Sequence, residues 1–527
     1  MKKMNQMLNK LVLVSTVLFT LGLNANAQNA KVKFNKRSWD STNKEVVNTT
    51  KSITDYTVIE GNHAGDWYQL GIDDGKDHYY VVNGEANYQT LNTFGRAHLI
   101  LCDGATLTIT GGVKVENNAH IFIYGQKDDS GKLTVTNSYE DAAGIGSAKG
   151  VNCGDITIHG GDISATAYDG AGIGGGEDRS CGNITIYGGK VYGSGDKGNG
   201  AGIGGGYAGS GNNITIYGGE VTAQGGKNAA GIGGGEKFNG GGAMGDITIW
   251  GGTVTATGGE YGAGIGGGMD CKDNYGTLTI NGGTVTAKGA HMGAGIGGGY
   301  EGNGCTVVIN DGNVRATGNR DGATGYASSA AIGGGASGKG GDVTINGGTV
   351  RAECVVYSTY STFTAEYIGR GYHSSDNGKL TLGDGVRVYD NFHTPHEWAP
   401  ADERVDYTAA ERGYKDDYIL IETCPHEDLE YVDDNHNRIV CSHCKMDGQV
   451  IKNFVDYDEY TGNKNVSVAN AKKSAARTTG INMIVTQTSD NEPIYDLCGH
   501  KYDASMLANG QLPKGIYIQG GKKFVVK

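Results

Sequence analysis

The sequence predicts an all-β protein: a single-stranded parallel β-helix, or solenoid, of about seven coils, followed by a small C-terminal β-sandwich domain. Three observations lead to this fold class. The 527 residues include 94 glycines but only 5 prolines, which excludes a collagen-like chain. Val, Ile, Thr and Tyr are frequent, as they are in strands. A glycine-rich unit also recurs every 28 to 36 residues through the middle of the chain.

The most regular segment of the repeat is Ala-Gly-Ile-Gly-Gly-Gly. Its isoleucine is Ile173, Ile203, Ile232, Ile265 and Ile296, with variant segments around Ile145, Ile332 and Ile368. Each repeat also contains an Ile-Thr-Ile segment and, after Gly-Gly, a third segment of the type Val-Thr-Ala. All three alternate with period two, which is typical of strands, and helices do not tolerate this glycine content. A repeat this short buries no face alone, so we expect each repeat to form one coil stacked on the next.

In this arrangement Ile and Val point into the bore, Thr points outward, and Gly forms the corners. The residue after the second Ile of each Ile-Thr-Ile segment then forms an outward column. The column consists of His159, Tyr187, Tyr217, Trp250, Asn281, Asn310 and Asn346.

Two interpretations of this outward column are open. Aromatic and Asn ladders stabilise stacked strands without any ligand. Alternatively, Tyr187, Tyr217 and Trp250 form a platform on which sugars stack, with Asn281 and Asn346 as hydrogen-bonding partners.

Two cysteines occupy equivalent places in neighbouring repeats, Cys153 before Asp155 and Cys181 before Asn183. Stacking would bring their Cα atoms to about 5 Å, within the range of a disulfide. The sequence therefore predicts a bond between Cys153 and Cys181.

Two kinds of structural metal site are considered. Asp155, Asp246 and Asp342 each follow Gly and precede a strand, so they either bind a structural Ca²⁺ or accept hydrogen bonds from turn backbone groups. Cys424, His426, Cys441 and Cys444 have nearly the spacing of a zinc ribbon. A disulfide among these cysteines is the alternative to zinc in an exported protein.

Charge and spacing exclude or disfavour several function classes. The net charge of −13 argues against a nucleic-acid partner. No helix and no Gly-Lys-Ser/Thr follows the glycines, so phosphate binding is not expected. The three aspartates named above would lie about 15 Å apart, too far for a catalytic pair, which disfavours an enzyme.

The N-terminus predicts export. Lys2 and Lys3 precede an apolar run from Leu11 to Leu21, and Ala25-Asn26-Ala27 forms a cleavage site before Gln28. No other stretch is apolar enough to span a bilayer. We therefore expect a secreted or cell-surface protein that is not transmembrane after the signal peptide is removed.

The segments Leu99–Leu107 and Ile121–Gln126, with the glycine-rich coils, resemble a family of secreted gut-bacterial surface proteins. The resemblance implies a right-handed β-helix over about residues 80–390, of the kind used for carbohydrate binding or as an adhesin stem. The calcium and pectin-type binding of that family finds no match here, because no acidic cluster recurs from coil to coil.

The segments Ile494–Gly499, Lys514–Ile518 and Lys522–Lys527 resemble the β-sandwich sorting domains that route proteins through type IX secretion. The resemblance implies contact with the secretion machinery or cell envelope, and a small capping domain without a sorting role is the alternative. The expected organisation is a signal peptide (1–27), an N-terminal cap (28–80), the β-helix (81–390), a linker (391–423), the zinc-ribbon-like module (424–450), a second linker (451–477) and the sorting-like domain (478–527).

The function expected from these features is binding of a polysaccharide or host glycan, or adhesion, through an outer face of the solenoid. An inert stem of a surface adhesin is one alternative. A polysaccharide lyase or glycoside hydrolase built on the β-helix is the other.

Overall fold

A computed structural model describes the solenoid and several short strands beyond it. The described residues are 30–137, 141–196, 198–236, 242–272, 276–320, 328–356, 365, 367–383, 386–390 and 416–423, with the strands at 429–431, 439–441, 494–496, 501–502, 515–519 and 522–526. The chain divides into two compact units, Met1–Thr423 and Cys424–Lys527. The predicted signal peptide lies outside the described residues, and within them no helix is long and apolar enough to cross a membrane.

The Ile-Thr-Ile segments form a twelve-stranded parallel sheet, here named the first ladder. Its strands are Thr57–Val58, Asp77–Val82, Arg96–Leu101, His120–Tyr124, Asp155–Ile158, Ile184–Ile186, Ile214–Ile216, Ile247–Ile249, Thr277–Ile280, Thr306–Ile309, Asp342–Ile345 and Lys379–Leu382. Equivalent residues pair in register, as Ile184 with Ile214 and Ile186 with Ile216. The β-helix predicted from the repeat is therefore confirmed.

The Val-Thr-Ala segments form the second ladder, which is also parallel. Its strands are Gly61–Leu70, Glu85–Thr93, Thr106–Ile109, Lys132–Thr136, Asp162–Thr166, Lys190–Ser194, Glu220–Gln224, Thr253–Thr257, Thr284–Lys288, Asn313–Arg320 and Thr349–Val356. Its side chains alternate between bore and surface: Val221 and Val254 pair in register and are fully buried, whereas Thr222 and Thr255 face outward.

The glycine-rich segments form the third ladder, whose strands are mostly two residues long. They are Val113–Val115, Ile145–Gly146, Ile173–Gly174, Ile203–Gly204, Ile232–Gly233, Ile265–Gly266, Ile296–Gly297, Ile332–Gly333 and Ile368–Gly369. Gly204 shows why glycine follows the isoleucine: its φ is +140°, and a Cβ there would lie 2.0 Å from the carbonyl oxygen of Gly233. Only a residue without a side chain permits so close an approach of successive coils.

The core is the bore of the solenoid. Ile173, Ile203 and Ile232 are fully buried, and each pairs in register with the next. The stacking of identical positions, on which the sequence interpretation depends, is therefore confirmed. Burying branched side chains in this continuous column is the main source of stability for a repeat that has no core of its own.

The solenoid is longer at its N-terminal end than the predicted boundary at residue 81. The first ladder begins at Thr57–Val58, so it has four strands before Asp155–Ile158 and the regular repeat. The first coils lack Ala-Gly-Ile-Gly-Gly-Gly, so the repeat count alone misses them. Their buried leucines and valines, such as Leu99 and Val113, nevertheless continue the same core.

Part of the predicted linker at 391–423 is a strand. Asp416–Thr423 pairs antiparallel with both Thr349–Val356 and Val386–Asp390. Its alternating Ile419 and Ile421 belong to a strand pattern, and Ile421 is fully buried in the solenoid core. The strand thereby covers part of the last coil, where an open parallel edge would otherwise be exposed.

An antiparallel hairpin precedes the solenoid. Its strands, Val32–Asp40 and Glu45–Ile53, pair along their full lengths, and Asp40 accepts hydrogen bonds from the backbone N–H groups of Thr42 and Asn43 in the turn. This unit, hereafter the N-terminal hairpin, occupies the first part of the region predicted as a cap at 28–80, and the rest of that region belongs to the first coils.

The second unit is described only as short strands. Leu429–Tyr431 pairs antiparallel with Ile439–Cys441. A four-stranded antiparallel sheet has the order Lys501–Tyr502, Ile494–Asp496, Gly515–Gln519, Lys522–Val526.

Candidate functional site

The predicted outward column is present, and its aromatic half is a stack of rings. His159 and Tyr187 have ring centroids 5.1 Å apart and planes within 4°, and Tyr187 and Tyr217 are 4.8 Å apart within 7°. Tyr124 of the preceding coil continues the stack, 4.6 Å from His159. The spacing is that of neighbouring strands in a sheet, so the register of the coils positions the rings.

This stacking determines which parts of the rings a ligand can reach. A sugar stacks on the face of an aromatic ring, yet the faces of His159 and Tyr187 are each covered by neighbouring rings along the solenoid. Only ring edges point away from the sheet. The geometry is that of a strand-stabilising ladder, with offset-stacked pairs each worth about 0.5–1.5 kcal/mol beyond burial.

The N-terminal hairpin covers the same column. Trp39 packs against Tyr217 and against Trp250, with ring centroids 5.0 Å apart in both pairs. Tyr187, Tyr217 and Trp250 are half-buried, and His159 is buried at 3% exposure. Sequence reasoning left the role of residues 28–80 open, and the structure assigns the hairpin to this face.

Polar and aromatic contacts also attach the N-terminal hairpin to the coils that precede Tyr187. Arg37 forms an ion pair with Asp129 and donates a hydrogen bond to the carbonyl of His159. The N–H of Asn35 donates to the carbonyl of Gly125 at 3.0 Å, and Phe34 packs edge-on against Tyr124 at 4.7 Å. Contacts therefore run along the hairpin from Phe34 to Trp39.

The covered column has an unusual electrostatic property at His159. Burial lowers its pKa to about 4, and the positive charge of Lys36 acts in the same direction, whereas an interaction of the ring with the backbone of Arg37 raises the pKa. His159 is therefore neutral at pH 7 and stacks as an uncharged ring.

The asparagine half of the column forms a hydrogen-bonded ladder. Nδ2 of Asn310 donates to Oδ1 of Asn281, and Nδ2 of Asn346 donates to Oδ1 of Asn310, both at 2.8 Å. Asn310 and Asn346 are exposed and Asn281 is half-buried. Two predicted ligand residues, Asn281 and Asn346, are thus joined through Asn310, in a coil-to-coil ladder on the surface.

The aspartates considered for calcium contact the backbone of the next coil. Oδ1 of Asp155 accepts the N–H of Asn183 at 2.9 Å and its Nδ2 at 3.0 Å. Oδ1 of Asp246 accepts the N–H of Thr277 at 2.9 Å, and Asp342 lies at the start of its strand beside Lys379. The turn-stabilising interpretation accounts for Asp155 and Asp246. Nowhere in the described ranges do three or more His, Cys, Asp or Glu side chains form a group that could hold a metal ion.

The disulfide predicted between Cys153 and Cys181 is absent from this structure, in which both are thiols. Their coils are in the expected register, since Ile156 pairs with Ile184. The two sulfur atoms instead have different backbone partners: Sγ of Cys153 donates to the carbonyl of Gly174 at 3.2 Å, and Sγ of Cys181 accepts the N–H of Asn212 at 3.3 Å. Burial raises the pKa of Cys153 to about 11 and holds the pKa of Cys181 well above its usual value.

The predicted zinc ligands Cys424, His426 and Cys444 lie outside the described residues. Cys441 ends a strand that pairs with Leu429–Tyr431, which is the antiparallel arrangement expected around the intervening turn. The zinc site stays a prediction.

Sequence reasoning missed a group of exposed apolar side chains in the first coils. Trp67, Ile72 and Phe94 are 66%, 49% and 47% exposed, and most of the other large apolar side chains of these coils are buried. The signal that could have revealed them is an aromatic or aliphatic residue beside a turn, as in Leu70-Gly71-Ile72 and Phe94-Gly95.

A family model described as a beta helix repeat matches six stretches of the chain. They are residues 156–177, 184–207, 214–236, 247–269, 278–300 and 307–336. Each stretch begins in a strand of the first ladder and ends just beyond a strand of the third, so it covers the three segments of one repeat. Nothing significantly similar was found among curated proteins or among solved structures. The six matches and the parallel ladders together show a β-helix built from repeats over residues 156–336.

Proposed function

We propose that this β-helix repeat protein is exported, is held at the cell surface, and binds glycans as an adhesin-type protein. In this proposal the solenoid is a rigid stem, and recognition takes place at its N-terminal coils. The proposal of export rests on the signal-peptide pattern before Gln28 and on the C-terminal likeness to sorting domains.

The observation that carries the binding role is the distribution of exposed apolar side chains. Among the described residues, five large apolar side chains are exposed, and Trp67, Ile72 and Phe94 all belong to the first coils. Exposed aromatic side chains near polar groups are the usual way in which a protein presents a surface to a saccharide. The middle of the solenoid has its aromatic rings stacked on one another and covered by Trp39.

An inert stem is a second candidate, and the ring ladder favours it for the middle of the molecule. Tyr187, Tyr217, Trp250, Asn281 and Asn346 contribute to coil-to-coil stacking in this proposal. They would offer a glycan only ring edges and amide groups.

The test is binding of the full exported chain to an array of immobilised mono- and oligosaccharides, together with protease treatment of intact cells of the source organism. We expect at least one class of glycan to be bound, and the protein to be cleaved on intact cells. Binding to no saccharide would contradict the glycan-binding role. The inert stem would then be the function that remains. Release of new reducing ends from a bound polysaccharide would instead support the hydrolase or lyase alternative.

The column has its own test within the same experiment. Tyr217→Ala and Trp250→Ala should lower the melting temperature while leaving the pattern of bound glycans unchanged. Loss of glycan binding at an unchanged melting temperature would instead support the interpretation of the column as a sugar-stacking platform.

A further inference from the structure

The N-terminal hairpin contacts the solenoid mainly through one of its two strands. In Val32–Asp40, hereafter the inner strand, the N–H of Asn35 donates to the carbonyl of Gly125 at 3.0 Å. In Glu45–Ile53, hereafter the outer strand, every residue from Val47 to Ser52 is exposed. The outer strand is therefore the one that faces solvent.

One edge of the outer strand has no strand beside it in the described part of the chain. The hairpin forms a sheet of two strands, in which the outer strand pairs with the inner strand alone. The backbone N–H and C=O groups along the other edge are therefore open to pairing with a further strand. A two-stranded sheet is only marginally stable by itself, so an added strand would also stabilise the hairpin.

The outer strand lacks most of the features by which proteins keep an open edge from pairing. Such edges usually contain a proline, a β-bulge or several charged side chains. The outer strand has no proline, its register with the inner strand is continuous, and its segment Val46–Thr50 is uncharged and rich in β-branched residues. Val47 is also one of the five exposed large apolar side chains, at 37%. We therefore expect a partner strand at this edge.

The charges of the outer strand identify the partner. Glu45 and Lys51 are its only charged residues, and Asn48 lies midway between them. If two copies of the strand pair antiparallel about Asn48, Glu45 of each copy lies opposite Lys51 of the other. Directly opposite side chains share a face with Cβ atoms about 4.5–5.5 Å apart, so two ion pairs form. The strand is thus complementary in charge to a second copy of itself.

The same register suits the residues between the two ion pairs. Val46 lies opposite Thr50 of the second copy, and Val47 lies opposite Thr49, so β-branched side chains meet in every pair. Asn48 lies opposite its own copy on the twofold axis, where the two amides can exchange hydrogen bonds. Because the interface is isologous, each contact away from the axis occurs twice.

A second carboxylate at the end of the hairpin favours the same arrangement. Asp40 and Glu45 lie directly opposite each other across the two strands, so two negative charges share one face there. Lys51 of the second copy would lie on the other side of Glu45. Its positive charge would reduce the repulsion between the two carboxylates.

We propose that the outer strand is a self-association site, at which two copies of this chain join edge to edge in one four-stranded antiparallel sheet. The inference goes beyond the proposed function and does not depend on it. Two short strands bury less surface than a permanent dimer does, so the dissociation constant should be in the micromolar range.

The experiment is sedimentation velocity of the full exported chain over a series of micromolar concentrations. We expect the wild type to show a concentration-dependent equilibrium between monomer and dimer. Lys51→Glu and Glu45→Lys each place like charges opposite each other at both symmetric positions, so each should weaken dimerisation at least tenfold. Lys76→Glu makes the same charge change at an exposed turn outside the hairpin and should dimerise as wild type does.

Exchanging the charges separates a paired edge from a merely destabilised hairpin. An equimolar mixture of Lys51→Glu and Glu45→Lys chains has opposite charges across both positions, so it should form heterodimers with nearly wild-type affinity. The double variant Glu45→Lys with Lys51→Glu should likewise self-associate. Both side chains are exposed, so the melting temperatures of the single variants should match that of the wild type.

A cysteine on the twofold axis tests the register. Residues directly opposite in an antiparallel pair have Cα atoms about 4.5–5.5 Å apart, within the range of a disulfide. Asn48→Cys should therefore form a cross-linked dimer in air, seen by non-reducing electrophoresis. In Ser52→Cys, the matched exposed control, the two cysteines would lie about 25 Å apart or more and should not cross-link.

Two results would overturn the inference. One is a wild-type chain that stays monomeric at every concentration. The other is dimerisation that Lys51→Glu and Glu45→Lys leave unchanged, because another surface would then join the copies. Glycan binding on the array should be the same for Lys51→Glu and wild type, so failure of either proposal leaves the other standing.

Discussion

Trp39 lies against Trp250 with ring centroids 5.0 Å apart, which joins the N-terminal hairpin to the middle of the solenoid. Trp39 also contacts Tyr217 at 5.0 Å, so it extends over two successive coils. The aromatic column is therefore packed between the N-terminal hairpin and the first ladder.

We expect Trp39→Ala to loosen the hairpin from the solenoid. The cost should be about 1–3 kcal/mol, below the 3–5 kcal/mol typical of a fully buried aromatic, because Trp39 is half-buried. Limited proteolysis should cut within residues 32–53 several times faster than in wild type. Trp67→Ala, which removes a 66% exposed ring, is the control and should leave that rate unchanged. Equal cleavage of Trp39→Ala and wild type would show that other contacts hold the hairpin.

Two substitutions in one coil should have opposite effects on stability. Gly204→Ala places a Cβ 2.0 Å from the Gly233 carbonyl oxygen at a φ of +140°, so we expect a loss of about 3 kcal/mol or more. Ala208→Gly relieves a left-handed φ of +59° in an L-residue and should be neutral or stabilising by up to about 1 kcal/mol.

Thermal unfolding followed by circular dichroism tests the pair. The melting temperature of Gly204→Ala should fall well below that of wild type, and that of Ala208→Gly should not fall. A tolerated alanine at residue 204 would contradict the close approach of the coils.

Acid should destabilise the fold through His159. Burial lowers its folded pKa to about 4, whereas an unfolded histidine has a pKa near 6.5. Between these values the unfolded chain binds a proton that the folded chain does not, so stability falls as the pH drops from about 6.5 to about 4. At 1.36 kcal/mol for each pKa unit, the lowering from about 6.5 to about 4 corresponds to about 3 kcal/mol of acid sensitivity.

His159→Tyr provides the measurement, because tyrosine occupies the next position of the same column. Urea unfolding at pH 7 and at pH 4.5 should show that the variant loses about 2 kcal/mol less than wild type over this interval. His120, whose pKa burial also lowers to about 4, is retained in both proteins. An identical loss in the two proteins would mean that His159 is protonated in the folded state.

Cys153, which is half-buried, and Cys181, which is buried, should both behave as unreactive thiols. Burial raises the pKa of Cys153 to about 11 and holds the pKa of Cys181 well above its usual value, so little thiolate is present at pH 8. Iodoacetamide should leave both unmodified in the native protein and alkylate both after unfolding without a reductant. A cross-linked peptide containing both cysteines in a non-reduced digest would contradict the thiol state and support the disulfide that the sequence predicts.

Much of the fold follows from local patterns. Ile203 faces the bore because period-two alternation fixes the side of a strand on which a side chain lies. Gly204 follows it because the corner needs a positive φ and close contact with the next coil. The first coils were not predicted because they lack the repeated motif. Leucine and valine side chains there, such as Leu99, are nevertheless buried in the same core.

The candidate site was predictable only in part. The register that aligns Tyr187 with Tyr217 is visible in the spacing of the repeats, and so is the Asn281–Asn310–Asn346 ladder. The sequence does not show what covers those rings. Trp39 contacts Trp250 only because the folded hairpin, which is distant in sequence, packs on this face. A surface groove lined by Asp73, Phe94 and Glu116 likewise combines residues from a turn and two coils, and no spacing in the sequence predicts that Asp73 lies near Glu116.

The sequence by itself determined the solenoid: which residues turn inward, where the coils bend, and which positions stack. These features depend on alternation and glycine placement within one repeat and between adjacent repeats, so they can be deduced from the order of residues. The tertiary structure alone decided that the aromatic column is covered, that Cys153 and Cys181 have separate partners, and that the first coils hold an open groove. The reason is that docking and side-chain direction depend on the three-dimensional shape of distant segments.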